Sequence, residues 1–238
     1  MDAIDVFTTC GYVAAFLAAR WAAGAVLWRI LPARERAAIP NLYDLACNAF
    51  LLYRLARIWA LPQAYMAVTD VTHFYQGDER IKVLDVHMRL ESAWYISSSI
   101  GMMLWTDGES LAISMLLHHG IAVLLIQVCI VANITRVGIA LLPYTTVSNP
   151  ILHAAKAWHR TGRRGCGRIA FAAFFATFTV VRMVAYPLVY MRMMIVDIGV
   201  YWRVDRVALY YTTATILSII YLMQAFWYTR MVRIIRGR

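Results

Sequence analysis

The stretch SMLLHHGIAVLLIQVCIVANITRVG, residues 114–138, decides the fold. Between Met115 and Ala132 its strongly polar side chains are His118, His119 and Gln127, and no charge appears before Arg136. A helix needs about 20 largely apolar residues to cross the ~30 Å hydrocarbon core of a bilayer, so this segment reads as a membrane span. Wound at 100° per residue, Ser114, His118, Asn133 and His119 share an arc of about 140°, with Gln127 outside it. A neutral imidazole can accept a proton from a hydroxyl or amine, or attack an activated acyl group itself. Two adjacent imidazoles can divide those tasks. The plainer reading is a pair of histidines bonded to neighbouring helices.

Outward from this stretch the chain has the same character. It has 238 residues, 62% hydrophobic and 15% charged, with a mean hydropathy of +0.61. Soluble domains run at about 45–50% apolar and about 25% charged, so a soluble globular enzyme is excluded. Spans are expected near 9–31, 42–67, 90–106, 110–132, 138–157, 169–190 and 207–229, an all-α polytopic membrane protein of about seven helices in a single domain over 1–238. The acidic opening MDAIDVFTTC lacks the basic n-region of a cleaved signal peptide. Cys10, Cys47, Cys129 and Cys166 are scattered and form neither a zinc motif nor a disulfide framework.

The formal charge is +10, and its placement gives the orientation. Arg29, Arg34, Arg36, Arg160, Arg163, Arg164, Arg168, Arg230, Arg233, Arg236 and Arg238 fall on one side of a seven-span chain, against seven basic residues and most of the acids on the other. The positive-inside rule then puts the C-terminus on the cytoplasmic or matrix side. This use of the arginines leaves no call for a nucleic-acid partner.

Five basic residues lie inside expected spans: Arg20, Arg54, Arg57, Lys156 and Arg182. Each costs about 2.5–3.5 kcal/mol at mid-bilayer on insertion scales and usually faces protein or a wet cavity. Arg20 and Lys156 read as snorkelling to an interface. Arg54 and Arg57, one turn apart, and Arg182 read as cavity-lining, with pairing to backbone carbonyls as the alternative. Asp44 is the acid well inside a span. In the fifth span, Thr145, the adjacent Ser148 and Asn149, His153 and Lys156 recur every three or four residues, and Pro143 and Pro150 each remove a backbone donor. A broken helix with a polar face is tolerated where it lines a cleft. A metal site from His118, His119 and His153 is disfavoured, because adjacent histidines diverge and no carboxylate stands beside them as ligand or support.

Taken together, the features from 90 to 230 resemble the TLC-domain membrane proteins, and within them the ceramide synthase branch. The segment ESAWYISSSIG (91–101), the acidic turn at Asp107, the pair His118–His119 and the Asn-x-x-Arg-x-Gly of Asn133, Arg136 and Gly138 come in the family's order. Ser148, Leu152 and Lys156 keep the branch's spacing. FFATFTVVRMVAYP (174–187) is similar to its Phe-rich helix with an Arg and a Pro, here Arg182 and Pro187, and YLMQAFWYTRMVRII (221–235) to its terminal helix. The resemblance implies six or seven helices around a cavity open to the membrane, residence in the endoplasmic reticulum, and N-acyl transfer from acyl-CoA to a sphingoid base at the histidine pair. An inner mitochondrial membrane also fits the basic loops.

The departures carry equal weight. The branch's His-Asp-x-Ser-Asp is here Thr145-Thr146-Val147-Ser148-Asn149, and its following glutamate is His153. A catalytic imidazole in a low-dielectric site needs a carboxylate to orient it and to stabilise the imidazolium that forms. The expectation is therefore a degenerate, non-catalytic member whose positively lined cavity, with Arg54, Arg57, Asn133, Arg136, Asn149, His153, Lys156 and Arg182, holds an anionic phospholipid. It would serve as a subunit of a larger membrane assembly or as a regulator of lipid composition, without cofactor or metal. The alternative is an acyl-CoA-dependent N-acyltransferase with His118 and His119 as catalytic residues. A transporter or channel subunit is a further alternative, against which the chain lacks paired, interrupted half-helices in two repeats.

Overall fold

A computed structural model describes residues 3–61, 82–105, 110–196 and 207–237. Every regular element among them is helical. They are α1 (Ala3–Ile30), a short 3-10 segment (Ala33–Ala38), α2 (Ile39–Trp59), α3 (Lys82–Trp105) and α4 (Ser110–Val131). After these come α5 (Thr135–Thr146), α6 (Asn149–Arg160), α7 (Arg164–Phe178), a π-helical segment (Thr179–Ala185), α8 (Tyr186–Val196) and α9 (Val207–Ile235). Among the described residues, four stretches are long and apolar enough to cross a membrane: Val6–Ile30, Ile113–Val131, Arg164–Arg192 and Val207–Ile235. The chain is an all-α polytopic membrane protein.

The expected spans return with instructive shifts. α3 starts at Lys82 rather than near 90, which takes His87 into the helix and moves Glu91 from its edge to its interior. α2 ends at Trp59, and the rest of the expected 42–67 span beyond Leu61 lies outside the described residues, as does the acidic turn at Asp107. The expected 138–157 span is two helices of 12 residues each, about 18 Å apiece at 1.5 Å per residue, so neither crosses alone. The break follows from Pro150, which has no N–H to continue the ladder, while Val147 and Ser148 between the two helices keep right-handed helical dihedrals.

The turn from α4 to α5 is equally local in origin. Asn133 has φ of 55°, the left-handed region that Asn tolerates better than most residues. Its N–H bonds the carbonyl of Ile130 at 3.2 Å, and that of Ile134 reaches back to Cys129 at 2.8 Å. This pair of bonds satisfies carbonyls the helix end would leave open, and buried Ile134 and Cys129 pack beneath it.

α3 lies at the centre, against α1, α2, α4 and α5, while α6 pairs with α2 and α7, and α9 with α4 and the π segment. The largest core cluster includes Leu84, Met88, Ile126, Ile130, Ile139 and Leu217. Gly138 allows α5 to approach α3: a Cβ there would run into the Met88 Cε. Gly101 leaves room for the Arg20 guanidinium, 3.1 Å from where its Cβ would stand.

Candidate functional site

The histidine pair is set in the interior, where α3, α4 and α9 meet. His118 and His119 are each 7% exposed. Tyr95 of α3 stands edge-on to both, with ring centroids 6.5 Å from His118 and 5.1 Å from His119. The other side of His118 meets Trp227 of α9, edge-to-face at 4.9 Å. His119 Nδ1 lies 3.2 Å from the Ser99 hydroxyl. Among the described residues, no carboxylate reaches either ring within hydrogen-bonding distance, and His118 Nδ1 has no partner.

Beside His118 is a hollow of about 40 Å³, walled chiefly by hydrocarbon from Leu125, Ile126, Leu141, Leu142, Leu217 and Ile220. Polar groups reach it from Tyr95, His118 and Thr145. One water's share of the liquid is about 30 Å³, so a longer ligand enters by parting side chains. Met88, on the wall, is the most deformable of them.

Arg182 bonds to the backbone at the Thr145 end of the hollow without lining it. The π-helical segment carries it inward to 4% exposure, above the Phe178 ring at 4.9 Å. It donates to the Thr145 carbonyl, in the last turn of α5 where the ladder is stopping, and to Asn149 Oδ1 at 2.6 Å. Both acceptors are neutral. No described carboxylate lies within salt-bridge distance, and its Nε–H has no acceptor. The broken helix is thus the receptor for Arg182, which pairs with a backbone carbonyl and does not itself line the hollow.

The remaining expected site residues separate into groups. Asn149 joins Arg182, and Ser148, fully buried, has an unpartnered hydroxyl in the same turn. His153 faces instead Asp44 of α2, Nδ1 to Oδ2 at 3.7 Å. Asp44 pairs with Arg20, which also covers the Tyr43 ring at 4.9 Å, and the charges of Lys156 and Arg160 reach Asp44 as well. Arg20, read from sequence as snorkelling, is therefore an internal ion-pair partner. Arg54 lies 5.9 Å from the ring of Phe50, and exposed Arg57 donates to the Tyr53 hydroxyl at 3.2 Å. Neither joins the hollow. Asn133 and Arg136 belong to the α4–α5 turn and the start of α5.

Several residues of this interior escaped the sequence reading. Tyr95, Ser99 and Trp227 touch the histidines directly. On α3, His87, Glu91, Tyr95 and Ser99 recur every four residues and so share a face. Glu91 is 1% exposed, with His87 Nε2 3.5 Å from its Oε1, and its charge acts on Tyr95. That four-residue spacing was the available signal. Gln127 donates to Ser92 at 2.9 Å, whereas Gln224, one turn before Trp227, is buried with both amide atoms unpartnered.

The sequence pattern of the TLC domain family matches residues 44–233, which include α3 to α8 whole and most of α2 and α9. The chain is also 19% identical over 207 residues to ceramide synthase LOH2 of Arabidopsis thaliana, covering 83% of this chain and 68% of that protein. The helical bundle, the paired histidines with the Asn133–Gly138 turn behind them, and a family match over most of the chain lead to one assignment: the chain belongs to the TLC domain family, and resembles its ceramide synthase branch.

Proposed function

We propose that this protein is a lipid-binding member of the family that does not perform ceramide synthase chemistry. Its interior takes an anionic lipid, with the charged group at Arg182 and hydrocarbon along the apolar wall of the hollow. The observation that carries this reading is the buried guanidinium with two neutral acceptors and an unused Nε–H. An uncompensated charge is costly in a low-dielectric interior, where buried charges are normally paired. A bound anion supplies the missing partner. The branch's acid at the position of Asn149 would supply it from within, and the amide does not.

The case against catalysis rests on the same residues. Acyl transfer through His118 or His119 develops an imidazolium, and no described carboxylate stands against either ring to stabilise it. Such a protein acts as a structural subunit of a larger membrane assembly or as a regulator of lipid composition. The endoplasmic reticulum is the membrane its family likeness favours, and the mitochondrial inner membrane is the alternative.

Mass spectrometry of lipids retained by the purified protein tests this directly. Wild-type protein is expected to keep one anionic lipid class above its abundance in the source membrane. Asn149→Asp, which puts a carboxylate 2.6 Å from Arg182, is expected to lose it while remaining folded. Unselective lipid in the wild type, or equal retention in Asn149→Asp, would overturn the reading.

A second reading, acyl-CoA-dependent N-acyl transfer, draws on the contact of His119 with Ser99 and on the buried Glu91–Tyr95 face beside the pair. Turnover of acyl-CoA with a long-chain amine that disappears in His118→Ala or His119→Ala would establish it and defeat the first.

A further inference from the structure

A cleft between α2 and α6 has a volume of about 200 Å³, against about 40 Å³ for the hollow beside His118, and shares no lining residue with it. Leu42 and Leu45 line it from α2, and Ala154, Ala157 and Trp158 from α6. Those α6 residues and Thr161 stand at i, i+3, i+4 and i+7, so they form one stripe of the helix, while His153, Lys156 and Arg160 lie on another. The 3-10 segment is held beside α6 by Arg160, whose Nη1 donates to the Ala37 carbonyl at 3.1 Å. The charged lining of the cleft is Glu35 of that segment and Arg163. Glu35 Oε1 lies 3.9 Å from Arg163 Nη2 and 4.0 Å from Arg34 Nε, and the two arginine side chains are 62% and 83% exposed. Both contacts are longer than charge-assisted hydrogen bonds, and one carboxylate between two guanidiniums leaves a positive charge.

We propose that this cleft is a surface site for one anionic phospholipid of the surrounding bilayer, its phosphate on Arg34 and Arg163 and one acyl chain between α2 and α6. The site is separate from the interior and does not depend on what binds there. Three observations select the occupant. Segments 29–37 and 158–168, which supply the charged end, carry seven arginines against one acid, Glu35. The positive-inside rule expects such loops on the cytoplasmic or matrix side, and basic pockets between helices on that side suit anionic headgroups. Trp158 on the cleft wall and Trp28 nearby in sequence to the 3-10 segment are 39% and 57% exposed, and the Arg36 guanidinium lies 4.5 Å over the Trp28 ring. Exposed tryptophans of a membrane protein sit at headgroup level, which sets the arginines at the height of lipid phosphates. The apolar stripe then runs from that level along α6, the direction an acyl chain takes.

The test is photocrosslinking of the full-length, delipidated protein in detergent with phosphatidylglycerol bearing a diazirine in one acyl chain. The competitors are dioleoyl phosphatidylglycerol, phosphatidylcholine, phosphatidylethanolamine and inorganic phosphate. Labelling is expected on α2 or α6 peptides and is expected to be displaced by phosphatidylglycerol alone. Arg34→Gln and Arg163→Gln should each weaken it about fivefold, the scale of one surface arginine near anionic lipid. Glu35→Gln, which frees both guanidiniums, should strengthen it. Both arginines are exposed, so their variants keep the fold; Ala154→Phe fills the cleft and should abolish labelling. Equal displacement by either zwitterionic lipid or by inorganic phosphate, labels outside α2 and α6, or no response to the arginine changes overturns the proposal. Crosslinking of α6 to a polypeptide rather than to lipid in the native membrane assigns the cleft to a protein partner and overturns it as well. Asn149→Asp alters the interior and should leave this labelling unchanged. Labelling lost in Asn149→Asp but not in the arginine variants places the probe in the interior, which sinks the cleft and leaves the interior reading standing.

Discussion

Arg20 and Arg182 meet the same problem, a guanidinium inside the bilayer, in opposite ways. Arg20 has Asp44, and Arg182 has a carbonyl and an amide. Removing one partner of a buried pair costs about 3–5 kcal/mol, whereas replacing both with apolar residues is often neutral. Asp44→Asn should therefore destabilise the protein strongly in a denaturant titration in detergent, and Arg20→Met combined with Asp44→Leu should recover most of the loss. If the double variant is as unstable as the single one, the pair is not an isolated unit. Asn133 offers a milder case. Asn133→Gly should leave stability within a few tenths of a kcal/mol, because glycine accepts the left-handed region freely. Asn133→Val should cost about 1–2 kcal/mol. Equal melting temperatures for the two variants would show that the turn does not depend on this dihedral.

At the level of elements, the controlling features are the break between α5 and α6 and the close passage of α5 over α3. The break was legible in Pro150, because a missing N–H is a property of the residue itself, whereas Pro143 sits inside α5 without interrupting it. The α4 span was legible in its unbroken apolar run. The pairing of Arg20 with Asp44, and the failure of Arg54 and Arg57 to reach the hollow, were not legible, because helical periodicity fixes the angle between residues on one helix and says nothing of which neighbour each face meets. Glu91 went unread for a related reason: with α3 assumed to start near 90, it stood at a helix end rather than inside. The α3–α5 passage gives its own prediction. Gly138→Ala puts a methyl where the Met88 thioether stands, and because that flexible chain end can swing aside it should cost no more than about 1 kcal/mol, the low end for overpacking. Adding Met88→Ala should relieve part of that cost. No improvement on adding the second change would mean the strain lies in the backbone rather than at Met88.

Across the whole molecule, the apolar wall and the buried cation together imply that ligand and protein stabilise one another. A ligand that binds only the folded state raises stability with its concentration, by about 2.7 kcal/mol at a hundred times its Kd. Leu217→Trp, which fills the hollow from α9, should abolish this dependence even if the unliganded protein becomes no less stable. Persistence of the full ligand effect in that variant would place the ligand elsewhere.

The most direct test of the central claim is a cryo-electron microscopy map of the protein purified from its own membrane. The account predicts elongated density from Arg182 along Leu125 and Leu217, its polar end within hydrogen-bonding distance of the guanidinium. Side chains closed dry across the hollow, with Arg182 still bonded to Thr145 and Asn149 alone, would contradict it.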